Sequence, residues 1–329
     1  MATKIEWVRN PDGTPGETWN PVRGCSRIAE GCRNCYAERM AARFVQGPER
    51  LVDIADGTFL TTAGPFANYI DRNGHWTGRV DLIPEMLNIP LRRKRSTTYF
   101  VNSMSDLFHE RLPDDAIDRV FAVMALCPQH RFVVLTKRGT RMREYMEPQM
   151  RGAKTRIYRR AYALEAIHGR AMAHEWPFKN LVLGVSASTQ ADAVEQLSDL
   201  IHTPAATWMF SAEPLIEHIT LPSQFISLGN RAWVVAGGES GPGARPSDVA
   251  WIRSLLRQCR EAGVPCFVKQ LGARPMATFR ELECWPKHTK FWQFSKLGLH
   301  DIDLCDSKGA DPSEWPEDLR VRELPEVLR

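Results

Sequence analysis

From residue 97 onward the apolar positions fall into two alternating patterns. Six short runs, TTYFVNS (97–103), RFVVLTK (131–137), NLVLGVS (180–186), TWMFSAE (207–213), AWVVAGG (232–238) and PCFVKQL (265–271), are β-branched or aromatic and nearly unbroken in their apolar centres. Such runs predict parallel strands covered on both faces. Between them the spacing turns helical. After Pro113, Ile117, Val120, Phe121 and Met124 follow i, i+3, i+4, i+7 and share one face. Thr189 with Asp192 reads as a capping box opening a helix that carries Val194, Leu197 and Ile201. Ser247 opens another, carrying Ile252, Leu255, Leu256 and Cys259, which Gly263 and Pro265 stop.

Strand centres recur about every 25 to 35 residues, the period of a right-handed βα repeat, apart from one interval near 50. Two weaker runs, TWNPVRG (18–24) and GRVDLI (78–83), bring the strand count to between six and eight. Polar residues recur where the runs end: Asn102 and Ser103, Lys137, Ser186, Glu213, Glu239, Lys269 and Gln270. A barrel converges such ends on one mouth, whereas a doubly wound sheet spreads them along an edge. The expected fold is therefore α/β, a complete or partial (β/α) barrel over residues 1–274. The long interval is a basic helical insertion at about 138–178. Residues 275–329 are expected to form an irregular extension packed on the barrel, and the stretch 41–80, rich in Gly, Asn and Asp, to form loops with short helices.

Composition narrows the class. The 329 residues are 43% hydrophobic and 25% charged, with 22 Gly and 22 Pro, which excludes disorder, collagen and small disulfide scaffolds. No apolar run reaches the roughly 18 residues of a membrane span, and MATKIEWVRN lacks a signal peptide's features, so a cytoplasmic protein without membrane contact is expected. The net charge of +4 hides a concentration of positive charge. Residues 137–160 hold nine Lys/Arg against Glu144 and Glu147, a local +7, which suits either a solvated helix face or contact with DNA or RNA. Arg138, Arg156, Arg159 and Arg160 are the candidate phosphate contacts.

Among eight cysteines, Cys25, Cys32 and Cys35 lie within eleven residues, while Cys127, Cys259, Cys266, Cys284 and Cys305 are scattered. In a reducing compartment the cluster of three reads as a metal or cofactor site. Three thiolates suit an iron–sulfur cluster with one open iron. Structural zinc needs a fourth ligand, for which His75 and His109 are candidates. At the predicted mouth, Lys137, Glu213 and Lys269 supply charged groups for catalysis. The Gly237-Gly238-Glu239-Ser240 turn lets backbone N–H groups approach a ligand beside a carboxylate. No Gly-x-Ser-x-Gly elbow, Walker loop or dinucleotide fingerprint occurs.

A cysteine triad in the loop after a first strand, followed by βα units, resembles the radical S-adenosylmethionine (SAM) superfamily. More closely, TWNPVRGC, GCRNCYAER, FVNSMSDLFHE, LTKR, LGVS, EPL, GGESGPGARP and FVKQLG resemble the phage-encoded three-cysteine-motif family, from about Ile5 to Gly272. The spacing here is Cys-x6-Cys-x2-Cys, where the superfamily commonly has Cys-x3-Cys-x2-Cys, and Gly237-Gly238-Glu239 lies far downstream of the cysteines. The resemblance implies a [4Fe–4S] cluster on Cys25, Cys32 and Cys35 and SAM on the open iron. It also implies a 5′-deoxyadenosyl radical formed with an external electron donor. Asn102, Ser103, Ser186, Gly237, Gly238, Glu239, Ser240 and Gln270 are then the cofactor-binding set. The alternative is a non-catalytic, zinc-stabilised barrel that binds nucleic acid or a partner protein.

Overall fold

The computed structural model describes residues 2–54, 57–148, 156–168, 176–287, 289–294 and 298–329. All six strong runs are strands, and with one of the weak runs they build a single parallel sheet in chain order. The strands are β1 (Glu17–Trp19), β2 (Thr98–Val101), β3 (Arg131–Thr136), β4 (Leu181–Ala187), β5 (Thr207–Ala212), β6 (Ala232–Gly237) and β7 (Cys266–Gln270). The seven strands curl into a half-barrel covered by helices.

Alternate strand residues serve two cores, as the two-residue period requires. Tyr99, Val101, Phe132, Val134, Leu181 and Leu183 pack against the helices. These include α2 (Asp114–Ala125), α5 (Gln190–His202) and α6 (Val249–Ala262). Phe100, Val133, Val182, Met209, Trp233, Val235 and Phe267 line the inside of the arc, where Trp7, Val8 and Leu328 from the two chain ends cover them. Trp7 meets Phe100 and Trp233 edge-on, with ring centroids 4.9 and 5.6 Å away. Each such buried aromatic contributes about 1.5–3 kcal/mol by burial.

Several expectations change. Only the start of 18–24 joins the sheet, because Pro21 has no N–H with which to continue the ladder. Val22–Arg23 then pairs antiparallel with Asp81–Leu82, so the run at 78–83 adds no eighth strand. The stretch 41–80 holds an antiparallel hairpin, Gln46–Ile54 with Gly57–Ala63, for which Asp56-Gly57 between two β-rich runs is the sequence cue. Asp248, not Ser247, caps α6, accepting from Ala250 N at 2.9 Å, while Gly263 ends that helix at φ +66°. Beyond residue 274, Pro275–Thr278, Lys290–Phe294 and Leu299–Asp303 join Ser247–Asp248 in a second, four-stranded sheet. The long interval contains α3 (Gly139–Met146) and α4 (Arg156–His168); Arg151 and Lys154 lie outside the described residues. No helix among the described residues is long and apolar enough to cross a membrane.

Candidate functional site

The cysteine loop lies across the carboxyl edge of the half-barrel. Gly24 turns the chain into it at φ +88°, where a Cβ would lie 1.9 Å from the Arg79 carbonyl oxygen, so only glycine fits. Cys25 follows on irregular backbone, Cys32 closes a short turn through a bond from its N to Ala29 O, and Cys35 precedes α1 (Tyr36–Ala42). Gly31 rests directly on the strand ends, since a Cβ there would stand 2.2 Å from Ser188 Oγ and 3.3 Å from Lys137 Nζ.

The three thiols are partly buried and share one electrostatic neighbourhood. Burial and the Asp106 carboxylate push the Cys25 thiol up to about 12, charge on Cys35 and Cys32 adds to this, and the Arg138 guanidinium opposes it. Burial also raises Cys35, against bonds from the Glu38 and Ala37 backbone. Among the described residues no three His, Cys, Asp or Glu side chains are gathered as a ligand set for one metal ion.

Behind Cys25 stands a buried polar network. Asp106 accepts from Thr136 Oγ1 at 2.7 Å, Lys137 N at 3.2 Å and Arg138 Nη1 at 3.0 Å. His109 Nδ1 accepts from Arg111 N, which leaves Nε2 to donate to Ser26 Oγ at 2.9 Å. Burial and then the Arg138 charge lower the His109 pKa, in keeping with a neutral ring. Both of its ring nitrogens are thus engaged, and His75 Nδ1 meets Arg27.

The mouth gathers the predicted charged residues. Lys137 Nζ donates to Ser186 Oγ at 2.7 Å, and Ser186 Oγ donates to the Glu213 carbonyl at 3.0 Å. Lys269 Nζ pairs with Glu213 Oε1 at 2.9 Å, while Ser211 Oγ donates to Oε2. Burial would lower the lysine's pKa, but the Glu213 carboxylate outweighs it and keeps Lys269 an ammonium. Gln270 Nε2 donates to the Gly238 carbonyl, and Gly237 packs close to Glu213.

Other members of the predicted cofactor set hold the cysteine loop in place. The Ser103 and Ser240 carbonyls accept from Tyr36 and Arg39 of α1, and the Glu239 carboxylate is taken up by Arg245 and by Asn34, which lies between Cys32 and Cys35. Asn102 adopts a left-handed φ of +58°; its Oδ1 accepts from Val22 N, but its buried Nδ2 has no partner. Ser188 Oγ is also buried without a partner. Both groups follow strands, β2 and β4, at the carboxyl edge, and Ser188 lies directly under Gly31 of the cysteine loop.

A family model, the protein of unknown function DUF5131, matches residues 2–293. The chain belongs to that family. No match was found among curated proteins or among solved structures.

In this DUF5131 member most of the described arginines of the basic insertion are paired with carboxylates. Arg156 pairs with Asp114 and Asp118, Arg160 with Asp115, Arg141 with Asp114 and Arg143 with Asp199, and Arg138 is buried against Asp106. Arg159 is exposed. The sequence pattern did not single out Ser26 or Arg245, because neither follows an apolar run in the way the strand-end residues do, whereas Asp106, just after Asn102 and Ser103, reads in the sequence as a further carboxylate at the mouth. The adjacency of Asn34 to Cys35 and of Ser26 to Cys25 was the local signal.

Proposed function

We propose that the carboxyl mouth of the half-barrel holds a [4Fe–4S] cluster on Cys25, Cys32 and Cys35 and uses it for SAM-dependent radical chemistry. The observation that carries this reading is the placement of three partly buried cysteines, in one clamped loop, on the carboxyl edge of a parallel half-barrel. The donor set fits the group. Three thiolates are soft ligands for iron, and of the candidates for a fourth zinc ligand His109 is committed to Ser26 and Arg111 while His75 meets Arg27. When bound, such a cluster supplies the electron that reductively cleaves SAM.

The chain's own residues do the rest. Gly24 and Gly31 seat the loop, and Glu239 with Arg245 fixes it from the side of Cys32 and Cys35. Lys269 is taken up by Glu213, which leaves Lys137, whose ammonium is bonded among the described residues only to the neutral Ser186 hydroxyl, as the cation at the mouth where an anionic group of cofactor or substrate would bind. Nucleic acid is the substrate class to test first, with exposed Arg159 as the phosphate contact.

Anaerobically purified protein is expected to be brown, to contain iron and sulfide, and on reduction to release 5′-deoxyadenosine and methionine from SAM. Cys25→Ala, Cys32→Ala or Cys35→Ala should each lose the cluster, whereas Cys127→Ala and Cys259→Ala should keep it. A colourless protein with stoichiometric zinc overturns the reading in favour of a zinc-stabilised barrel.

A further inference from the structure

Arg138 follows β3 by two residues, and its side chain is only 3% exposed. Burying a guanidinium costs several kcal/mol unless its donors are met. Here they are met in a particular direction. Nε donates to Glu110 Oε1 at 2.7 Å, Nη1 to Asp106 Oδ2 at 3.0 Å, and Nη2 to Ser26 Oγ at 2.9 Å and Ser26 O at 3.3 Å. Nη1 also lies 3.9 Å from Cys25 Sγ. One planar fork therefore grips the residue after Cys25 and approaches the thiol itself, a geometry that lysine cannot reproduce.

The charges around Cys25 have opposite effects. Two carboxylates, Asp106 and Glu110, stand against the same guanidinium that brings its positive charge within 3.9 Å of the Cys25 sulfur. A well-packed apolar group could replace a buried ion pair without loss of stability, so stability alone does not explain why this one stands against the thiol.

We propose that Arg138 is a positioning residue that orients Cys25 through Ser26 and offsets the negative charge gathered there, raising the reduction potential of the cluster that Cys25 helps to hold. The inference rests on the iron–sulfur reading of the loop. A cation and an N–H beside a cluster thiolate stabilise the more negative, reduced state.

The test uses the whole, cluster-loaded protein under anaerobic conditions and compares wild type with Arg138→Gln and Arg138→Lys. It reads the reduced-to-oxidised ratio of the cluster by electron paramagnetic resonance at one fixed solution potential, together with thermal melting. Arg138→Gln is expected to lower that ratio about tenfold, the effect of a potential more negative by about 59 mV. Arg138→Lys should keep the ratio near wild type while melting at a lower temperature, like the Gln variant, because both lose the fork. Unchanged ratios in both variants, or equal losses that follow melting alone, overturn the proposal. If Arg138→Gln does not fold, Ser26→Ala removes one acceptor without stranding a charge. It should speed iron loss to a chelator, and an unchanged rate overturns the positioning role. Wild-type protein that takes up no iron overturns the cluster reading itself, and the proposal with it.

Discussion

Asn34 and Glu239 are 205 positions apart and joined by one hydrogen bond, Nδ2 to Oε2, of 3.0 Å. The same carboxylate accepts from Arg245 N at 2.8 Å, Nε at 2.9 Å and Nη2 at 2.6 Å, and Arg245 Nη1 reaches on to Glu30 at 2.8 Å. The turn after β6 thus holds the segment between Cys32 and Cys35 through a single acidic side chain. Its place in the Gly-rich turn at the end of β6 suggests contact with cofactor, whereas its bonds fasten protein to protein.

Acid should loosen this clamp. Burial would raise the Glu239 pKa, but the bonds from Arg245 and Asn34 outweigh it and hold the carboxyl below its ordinary value. As pH falls below about 4.3 the unfolded chain takes up the proton first, so the stabilisation is complete above that pH and is lost as pH drops through the lower, folded-state value. Glu239→Gln should therefore be less stable than wild type by about 1–2 kcal/mol at pH 7. The gap should close toward pH 3. Urea denaturation across that range checks it, and a gap independent of pH contradicts the clamp.

Lys269 and Glu213 should be energetically coupled. Lys269→Met leaves a partly buried carboxylate without its ammonium, and Glu213→Gln leaves the ammonium without its carboxylate. Each single change should destabilise by about 1–3 kcal/mol, and the double variant should cost less than their sum. Chemical denaturation of the four proteins gives the coupling; strict additivity would remove the pair from the mouth.

The three insertion arginines should separate by role. Arg156→Gln breaks a bond to Asp118, which is buried and also accepts from Tyr145 OH at 2.6 Å, so about 1 kcal/mol of stability should be lost. Arg160→Gln gives up a more exposed pair and should cost about 0.5 kcal/mol or less. Arg159→Gln should leave stability unchanged while lowering the salt dependence of oligonucleotide binding by about one unit of log–log slope. Binding that is insensitive to Arg159 at low and high salt removes this residue as a phosphate contact.

The six strong strands and the faces of α2 and α6 were legible in the chain, because hydrophobic periodicity is a local property and each run buries itself whatever its distant neighbours are; in α5 the buried face runs through Ala193, Leu197 and Leu200 and leaves the expected Val194 52% exposed. For the same reason Lys137, Ser186, Glu213 and Lys269 were found together at the mouth: in parallel strands, a polar residue just past an apolar run must emerge at the carboxyl edge. The partner of each charge was not legible. Arg138 belongs by sequence to the basic insertion and by structure to Cys25, since β3 delivers it beneath the cysteine loop while α2 supplies carboxylates to the arginines that follow. Glu239 changes role in the same way, through an asparagine some 200 residues earlier in the chain. Short-range pattern sets where a side chain leaves the backbone, but the strength of an ion pair or hydrogen bond falls off within a few ångströms, so only the packing of remote segments decides what each charged group meets.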